Sequence, residues 1–279
     1  MTSFARIAAC IASVCLFGFV APAAAQFQPQ VGQSGKDVIW VPTPDDVVER
    51  MLTMAQVTAQ DNVWDLGAGD GKIAIMAAKK FGARATGIEY NPDMVKHAND
   101  NAQKAGVAGS GQGKAVIRHG DIFATDFSSA TVITLYLLPA LNMKLRPQLL
   151  SMRPGTRVVS HSFSMEDWEA DEISSVDGRR AYFWLVPANV MGGWRLDAGA
   201  QKVDISLEQS FQKITGTVTL GPVHGGLREA RLRGSHITFA YLDQTGMRRD
   251  FSGRVTGGKM EGTFRDEKGA EGKWTATKK

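Results

Sequence analysis

The stretch Val63-Trp64-Asp65-Leu66-Gly67-Ala68-Gly69-Asp70-Gly71 leaves few folds open to this chain. Val63 to Leu66 is apolar except for Asp65, the pattern of a strand covered on both faces of a parallel sheet. Gly67, Gly69 and Gly71 then remove side chains where a backbone must turn sharply and admit a close neighbour. From Lys72 to Phe81 the apolar Ile73, Met76, Ala77 and Phe81 recur at helical spacing, so the turn feeds a helix N-terminus. Such a unit is a nucleotide-type site at the carboxyl edge of an α/β sheet. A dinucleotide fingerprint wants its third glycine one residue further on, where this chain has Lys72. A phosphate-gripping loop needs Ser or Thr after Gly-Lys, where it has Ile73. Both phosphate readings weaken.

An acid closing a strand ahead of Gly-x-Gly-x-Gly resembles the first motif of class I S-adenosylmethionine (SAM) dependent methyltransferases. The resemblance implies SAM as the cofactor. SAM carries no phosphate, and Asp65 or Asp70 would meet its ammonium while the backbone of Gly67, Gly69 and Gly71 takes up the methionine end. Upstream, Thr43 in Pro42-Thr43-Pro44 makes a good N-cap with Pro44 at the first helical position. Val41-Pro42-Thr43 also resembles a SAM-proximal segment of small seven-strand protein-lysine methyltransferases, and Thr43 joins the site on that resemblance.

Ala85 to Glu89 reads as a second strand ending in an acid some twenty residues past the glycine turn, where a carboxylate commonly takes two ribose hydroxyls. Asn91-Pro92-Asp93 caps the next helix. Val116 to His119 is a third strand, and the resemblance implies that Asp121 after it meets the adenine amino group and Ile122 covers the ring. Thr131 to Tyr136 is a fourth strand running into Leu137-Leu138-Pro139-Ala140-Leu141-Asn142. Many aminomethylating relatives carry Asp/Asn-Pro-Pro-aromatic at that place, and this chain departs from it. Thr156 to Ser160 is a fifth strand ending at His161, Ala181 to Val186 a sixth, and Val190 to Trp194 a seventh that closes the sheet. Tyr136, Asn142 and His161 lie near the carboxyl ends of strands four and five, where the methyl group should emerge. They are the catalytic candidates, and only His161 has a near-neutral reference pKa.

The expected fold class is therefore α/β: a Rossmann-like seven-stranded methyltransferase sheet with helices on both faces over residues 38–194, plus a smaller C-terminal antiparallel β domain over 195–279. Short alternating runs separated by Gly turns from Val203 onward suggest a meander, small sandwich or partial barrel. It reads either as a stabilising or partner-binding appendage or as a substrate-recruiting module. No metal-ligand spacing links His161, His224 and His236.

Residues 1–25 differ in kind. Arg6, the apolar run Ile7 to Val20 and Ala23-Ala24-Ala25 form a bacterial secretory signal peptide, which implies a periplasmic protein with no stable membrane anchor after cleavage. The polar residues 26–37 read as a linker. Cys10 and Cys15 fall within the signal, so the rest of the chain has neither a disulfide, a thiolate nucleophile nor a cysteine zinc site. The net charge of +4 is not gathered into a Lys/Arg run interleaved with aromatics, and no nucleic-acid partner is expected.

The first functional reading is a SAM-dependent methyltransferase with an unidentified acceptor. The resemblance implies a protein lysine amine. The second is an exported SAM- or nucleoside-binding protein without turnover, favoured by export away from the compartment that makes SAM and opposed by the intact set Asp65, Gly67, Gly69, Glu89 and Asp121. A dinucleotide-dependent oxidoreductase is disfavoured by Lys72.

Overall fold

Alternation decides which helix each strand meets. In β1 (Asn62–Leu66), Val63 faces one layer while Trp64 and Leu66 face the other. Val63 shares a core with Val48 and Met51 of α1 (Asp45–Met54) and with Ile73 and Ala74 of α2 (Lys72–Phe81). Trp64 and Leu66 share theirs with Leu145 and Leu149 of α4 (Pro139–Leu150). β4 (Val132–Leu135) repeats the division, with Val132 in the first core and Ile133 and Leu135 in the second. The sheet thus carries helices on both faces. The computed structural model describes residues 27–199 and 201–279, and the signal peptide read over residues 1–25 lies outside the described residues.

The remaining strands of the first sheet are β2 (Arg84–Glu89), β3 (Ala115–His119), β5 (Arg157–His161), β6 (Glu172–Val176) and β7 (Arg179–Leu185), in the order β3-β2-β1-β4-β5-β7-β6. The first five are parallel, and β7 runs antiparallel to both β5 and β6. Between β2 and β3, α3 (Pro92–Lys104) starts at Asn91, whose side chain accepts the N–H groups of Asp93 and Met94. Strand order reverses between β1 and β4, and in open α/β sheets the crevice at that reversal takes the ligand.

Three local expectations are corrected. The seventh strand is β6, which the Asp177-Gly178 turn joins to β7, both turn residues having positive φ. Val190 to Trp194 does not close this sheet: Trp194 lies in β8 (Gly192–Ala198), which belongs to the second sheet. α1 begins at Asp45 with Pro44 as its N-cap, leaving Thr43 free for another partner. Residues 30–40 are also not a free-running linker. They fold back on themselves through Gly32 N–H to Trp40 O (2.9 Å), Trp40 N–H to Gln33 O (2.9 Å) and Gly35 N–H to Val38 O (2.8 Å), forming a strap.

The second sheet has nine antiparallel strands: β8, β9 (Gln201–Ser210), β10 (Lys213–Leu220), β11 (Val223–Gly226), β12 (Arg228–Arg233), β13 (His236–Leu242), β14 (Arg248–Thr256), β15 (Lys259–Asp266) and β16 (Glu271–Lys278). Their order, β11-β10-β9-β8-β16-β15-β14-β13-β12, curls the sheet into a nearly closed barrel. Trp194, Phe239, Tyr241, Phe251 and Trp274 fill its interior. These side chains make a packed core, and a second cavity of about 660 Å³ opens beside it against Phe239, Phe251 and Phe264.

Candidate active site

Burial creates the first chemical feature of the crevice. Asp65, next to last in β1, is 2% exposed, among apolar neighbours that cannot solvate a charge. Its Oδ1 accepts the Thr134 hydroxyl at 2.7 Å, while its Oδ2 is buried without a partner. Burial pushes this carboxyl up to about 7; the Thr134 hydrogen bond opposes that rise, and the charges of Asp70 and Glu89 add to it. An orphaned carboxylate oxygen at a strand end calls for a cationic donor.

The glycine turn supplies the second feature. Gly69 has φ +52 and donates its N–H to Glu89 Oε2 at 3.0 Å, while Asn91 N–H bonds Glu89 Oε1 at 2.9 Å. Glu89 is thereby fixed at the rim of β2, with further lone pairs free to accept ligand hydroxyls. A Cβ on Gly69 would come within 2.6 Å of the Trp40 indole nitrogen, so the strap closes directly over the turn. Asp70 Oδ1 accepts the Lys72 N–H at 3.2 Å, stabilising the start of α2.

At the rim of β3, Asp121 accepts the Phe123 N–H on Oδ1 at 2.9 Å and pairs through Oδ2 with Lys36 of the strap at 2.7 Å. The Lys36 ammonium, and then the Phe123 N–H, hold this carboxyl below the usual carboxylate range. Lys36 also stands 4.7 Å over the Tyr90 ring. The opposite wall comes from the segments that follow β4 and β5: Tyr136, Leu137 and Leu138 after β4, Leu141 of α4, and Phe163 after β5. These elements enclose one cavity of about 330 Å³.

Of the residues expected from sequence, the cavity gathers Thr43, Asp65, Gly67, Gly69, Asp70, Glu89, Asp121, Ile122 and Tyr136. Gly71, Asn142 and His161 are not on its surface. Gly71 sits at φ +79 as the N-cap of α2, and a Cβ there would press on Ala98 and Ile117 at 3.1 Å, so its role is packing. Asn142 is fully buried, and its amide donates to the carbonyls of Phe163 (3.4 Å) and Ser164 (3.2 Å), tying down the loop after β5. His161 lies behind Tyr136, ring centroids 4.0 Å apart, with Nδ1 3.2 Å from the Thr43 hydroxyl and Nε2 buried without a partner. Burial, helped by the charge of Arg179, pulls its pKa down to about 4, so the ring is neutral and weakly basic.

Sequence reasoning misses Lys36, Trp40, Tyr90 and Phe163. Nothing in the spacing brings Trp40 onto Gly69 or Lys36 opposite Asp121.

The cavity fits SAM. The unpartnered Asp65 oxygen suits its ammonium, Glu89 its ribose hydroxyls, and the Asp121–Ile122 rim its adenine. Residues 65–172 match the ANTKMT methyltransferase domain. The chain is 45% identical over 142 residues to a protein-lysine N-methyltransferase of Saccharolobus islandicus, covering 50% of this chain and 86% of that protein. It is 33% identical over 107 residues to the adenine nucleotide translocase lysine N-methyltransferase of Mus musculus, covering 38% of this chain and 44% of that protein, so it spans less than half of the mouse relative. Among solved structures, an RNA methyltransferase from Salinibacter ruber in complex with S-adenosyl-L-homocysteine is 50% identical with a TM-score of 0.51, covering 54% of this chain and 96% of that one.

Proposed function

The chain belongs to the ANTKMT methyltransferase family and is a SAM-dependent methyltransferase, and on that footing we propose that its acceptor is a lysine amine of a protein. One observation carries this reading: the cavity is acidic. Among the described residues, five carboxyl groups line it, from Asp37, Asp65, Asp70, Glu89 and Asp121, against two ammonium groups. Both of those are already paired, Lys36 with Asp121 at 2.7 Å and Lys72 with Asp45 at 2.8 Å. Such a field attracts a cationic side chain and repels a polyphosphate backbone.

SAM supplies an electrophilic methyl group when bound. The chain's own part is to orient and to dry. Asp65 holds an ammonium at the end of β1, Glu89 and Asp121 set the position of the nucleoside, and Tyr136, Leu138 and Phe163 form an apolar sleeve suited to a lysine's alkyl stem. Excluding water there strengthens each polar contact and suppresses hydrolysis. The attacking amine must first lose a proton. His161 is too weak a base and is screened by Tyr136, so in this reading the proton leaves through the cavity mouth to solvent.

Incubating the purified protein with methyl-labelled SAM and separated protein and RNA fractions of a cell extract tests the proposal. Label on protein, mapped by mass spectrometry to lysine, supports it. Label in RNA, or SAM binding with no labelled product, overturns it. From the signal peptide read over residues 1–25, we also place this activity outside the cytoplasm. N-terminal sequencing of the protein from a periplasmic fraction checks that assignment.

A further inference from the structure

Backbone strain and interdomain contacts coincide at one place. Among the described residues, six non-glycine residues have positive φ: two of them, Ser162 and Glu166, lie in the loop after β5, and a third, Phe211, stacks on Trp168 of that loop from the barrel. Ser162 and Glu166 belong to the loop that leaves β5 directly after His161 and carries Phe163 to the cavity wall. Phe211 is at the tip of the β9–β10 hairpin of the barrel, with φ +55, a conformation that a bulky side chain adopts only when its surroundings enforce it.

The enforcing contacts can be named. The Phe211 ring stacks on Trp168 of the loop, centroids 6.1 Å apart and planes 19° apart. The Arg146 guanidinium of α4 lies 5.2 Å over the same ring, donates to Met165 O at 3.1 Å and pairs with Asp167. Next to Phe211, Gln212 donates to Glu169 O at 2.7 Å and Lys213 pairs with the Glu169 carboxylate at 2.6 Å. On the barrel side, Gln209 bonds Phe211 O (2.7 Å), Ala188 O (2.8 Å) and Val190 N–H (2.7 Å), locking the tip to the interdomain connector. The hairpin tip therefore grips the Trp168–Glu169 end of the Met165–Glu169 stretch directly, while Arg146, stacked over Phe211, holds Met165 and Asp167. Asn142 holds the Phe163 and Ser164 carbonyls from the other side.

We propose that Phe211 is a positioning residue for methyl transfer: from the barrel it clamps the loop after β5 and so fixes Phe163 on the acceptor side of the cavity. The proposal rests on the methyltransferase reading above. It gives the C-terminal barrel a task at the active site of the other domain, although none of the barrel's described residues lines the cavity. A rigid supporting shell matters because displacing a reacting group by about 1 Å can cost roughly a hundredfold in rate.

Two ligands separate this role from simple domain attachment. S-adenosylhomocysteine ends at its thioether, whereas sinefungin bears an amino group on the carbon that replaces the sulfur and so probes the acceptor-side wall. Calorimetric titrations of the full chain, its Phe211→Ala variant and its Phe211→Tyr variant, with amide exchange on each, form the test. In Phe211→Ala, S-adenosylhomocysteine affinity should stay within about twofold while sinefungin affinity falls about fivefold or more. Exchange should quicken at Phe163, Ser164 and Met165 and stay unchanged in β1. Phe211→Tyr, which keeps the ring, should restore both readings. If Phe211→Ala fails to fold, the Gln212→Ala/Lys213→Ala double variant loosens the same grip from the exposed side and should give the same split.

Unchanged sinefungin affinity and unchanged exchange at residues 163–165 would overturn the proposal, as would an equal loss for both ligands with protection lost throughout. A wild-type chain that binds neither ligand would instead overturn the methyltransferase reading itself.

Discussion

The Trp40 indole lies against Gly69 so closely that a single added carbon at Gly69 would reach within 2.6 Å of the ring nitrogen. This contact joins the strap before α1 to the turn after β1, so the cofactor cradle has a roof as well as a floor. Gly69→Ala would combine an unfavourable φ of +52 with that collision. We expect a loss of about 1–3 kcal/mol in folding stability, together with weaker S-adenosylhomocysteine binding. Urea denaturation and calorimetry check the two effects. A variant as stable and as tight as the wild type would show that strap and turn are independent.

Asp65 and His161 give stability opposite pH slopes. Folded Asp65 keeps its proton up to about 7, whereas in the unfolded chain it loses it near 3.8, so this group's contribution falls as pH rises from about 4 to about 7. Folded His161 sheds its proton near 4, whereas the unfolded chain holds it to about 6.5, so its contribution rises over that window. Asp65→Asn should therefore make stability rise more steeply with pH between about 4 and about 6.5 than in the wild type, and His161→Phe should make it rise less or fall. Denaturation midpoints across that range check the signs.

An ammonium ligand favours ionised Asp65, so S-adenosylhomocysteine affinity should climb with pH up to about 7 and then level off, with proton release below that point. Titrations in buffers of different ionisation enthalpy measure the protons released. Asp65→Asn should abolish the climb and weaken binding about tenfold to a hundredfold, as expected for losing a hydrogen bond to a charged group.

Lys36 ties the strap to Asp121 across an exposed ion pair, so its effect should be local and salt-dependent. Lys36→Met should speed amide exchange at Gly32, Gly35 and Trp40 about threefold or more at low salt and leave β1 unchanged. Equal exchange in variant and wild type would mean that Trp40 alone holds the strap.

On the acceptor side, Tyr136→Ala should cut methyl transfer about tenfold to a hundredfold while S-adenosylhomocysteine affinity changes less than about threefold. His161→Phe keeps a ring behind Tyr136 without its nitrogens and should retain most of the rate. Loss of transfer in His161→Phe would identify the imidazole as the base.

The rims of β1, β2 and β3 are readable from the chain because each functional acid accompanies an apolar run: Asp65 in β1, Glu89 ending β2, Asp121 just after β3. Period and punctuation suffice for that. The β6–β7 hairpin is also announced, by Asp177-Gly178, but its weakly apolar first strand, with Glu172 and Ile173 exposed, hides it. Trp194 reads into the wrong sheet because an apolar strand at a domain boundary does not say which core it enters. Lys36, Phe163 and Phe211 are not readable, since their roles depend on contacts between segments distant along the chain, as with the 85 residues that separate Lys36 from Asp121.

A crystal structure of the chain grown with S-adenosylhomocysteine bears most directly on the shared cradle of Asp65, Glu89 and Asp121. The ligand's ammonium should sit on the free Asp65 oxygen, its ribose hydroxyls on Glu89 and its adenine beside Asp121 and Ile122 under the Trp40 strap. A ligand bound elsewhere, or a cradle still empty at saturating ligand, would contradict that placement and the cofactor assignment with it.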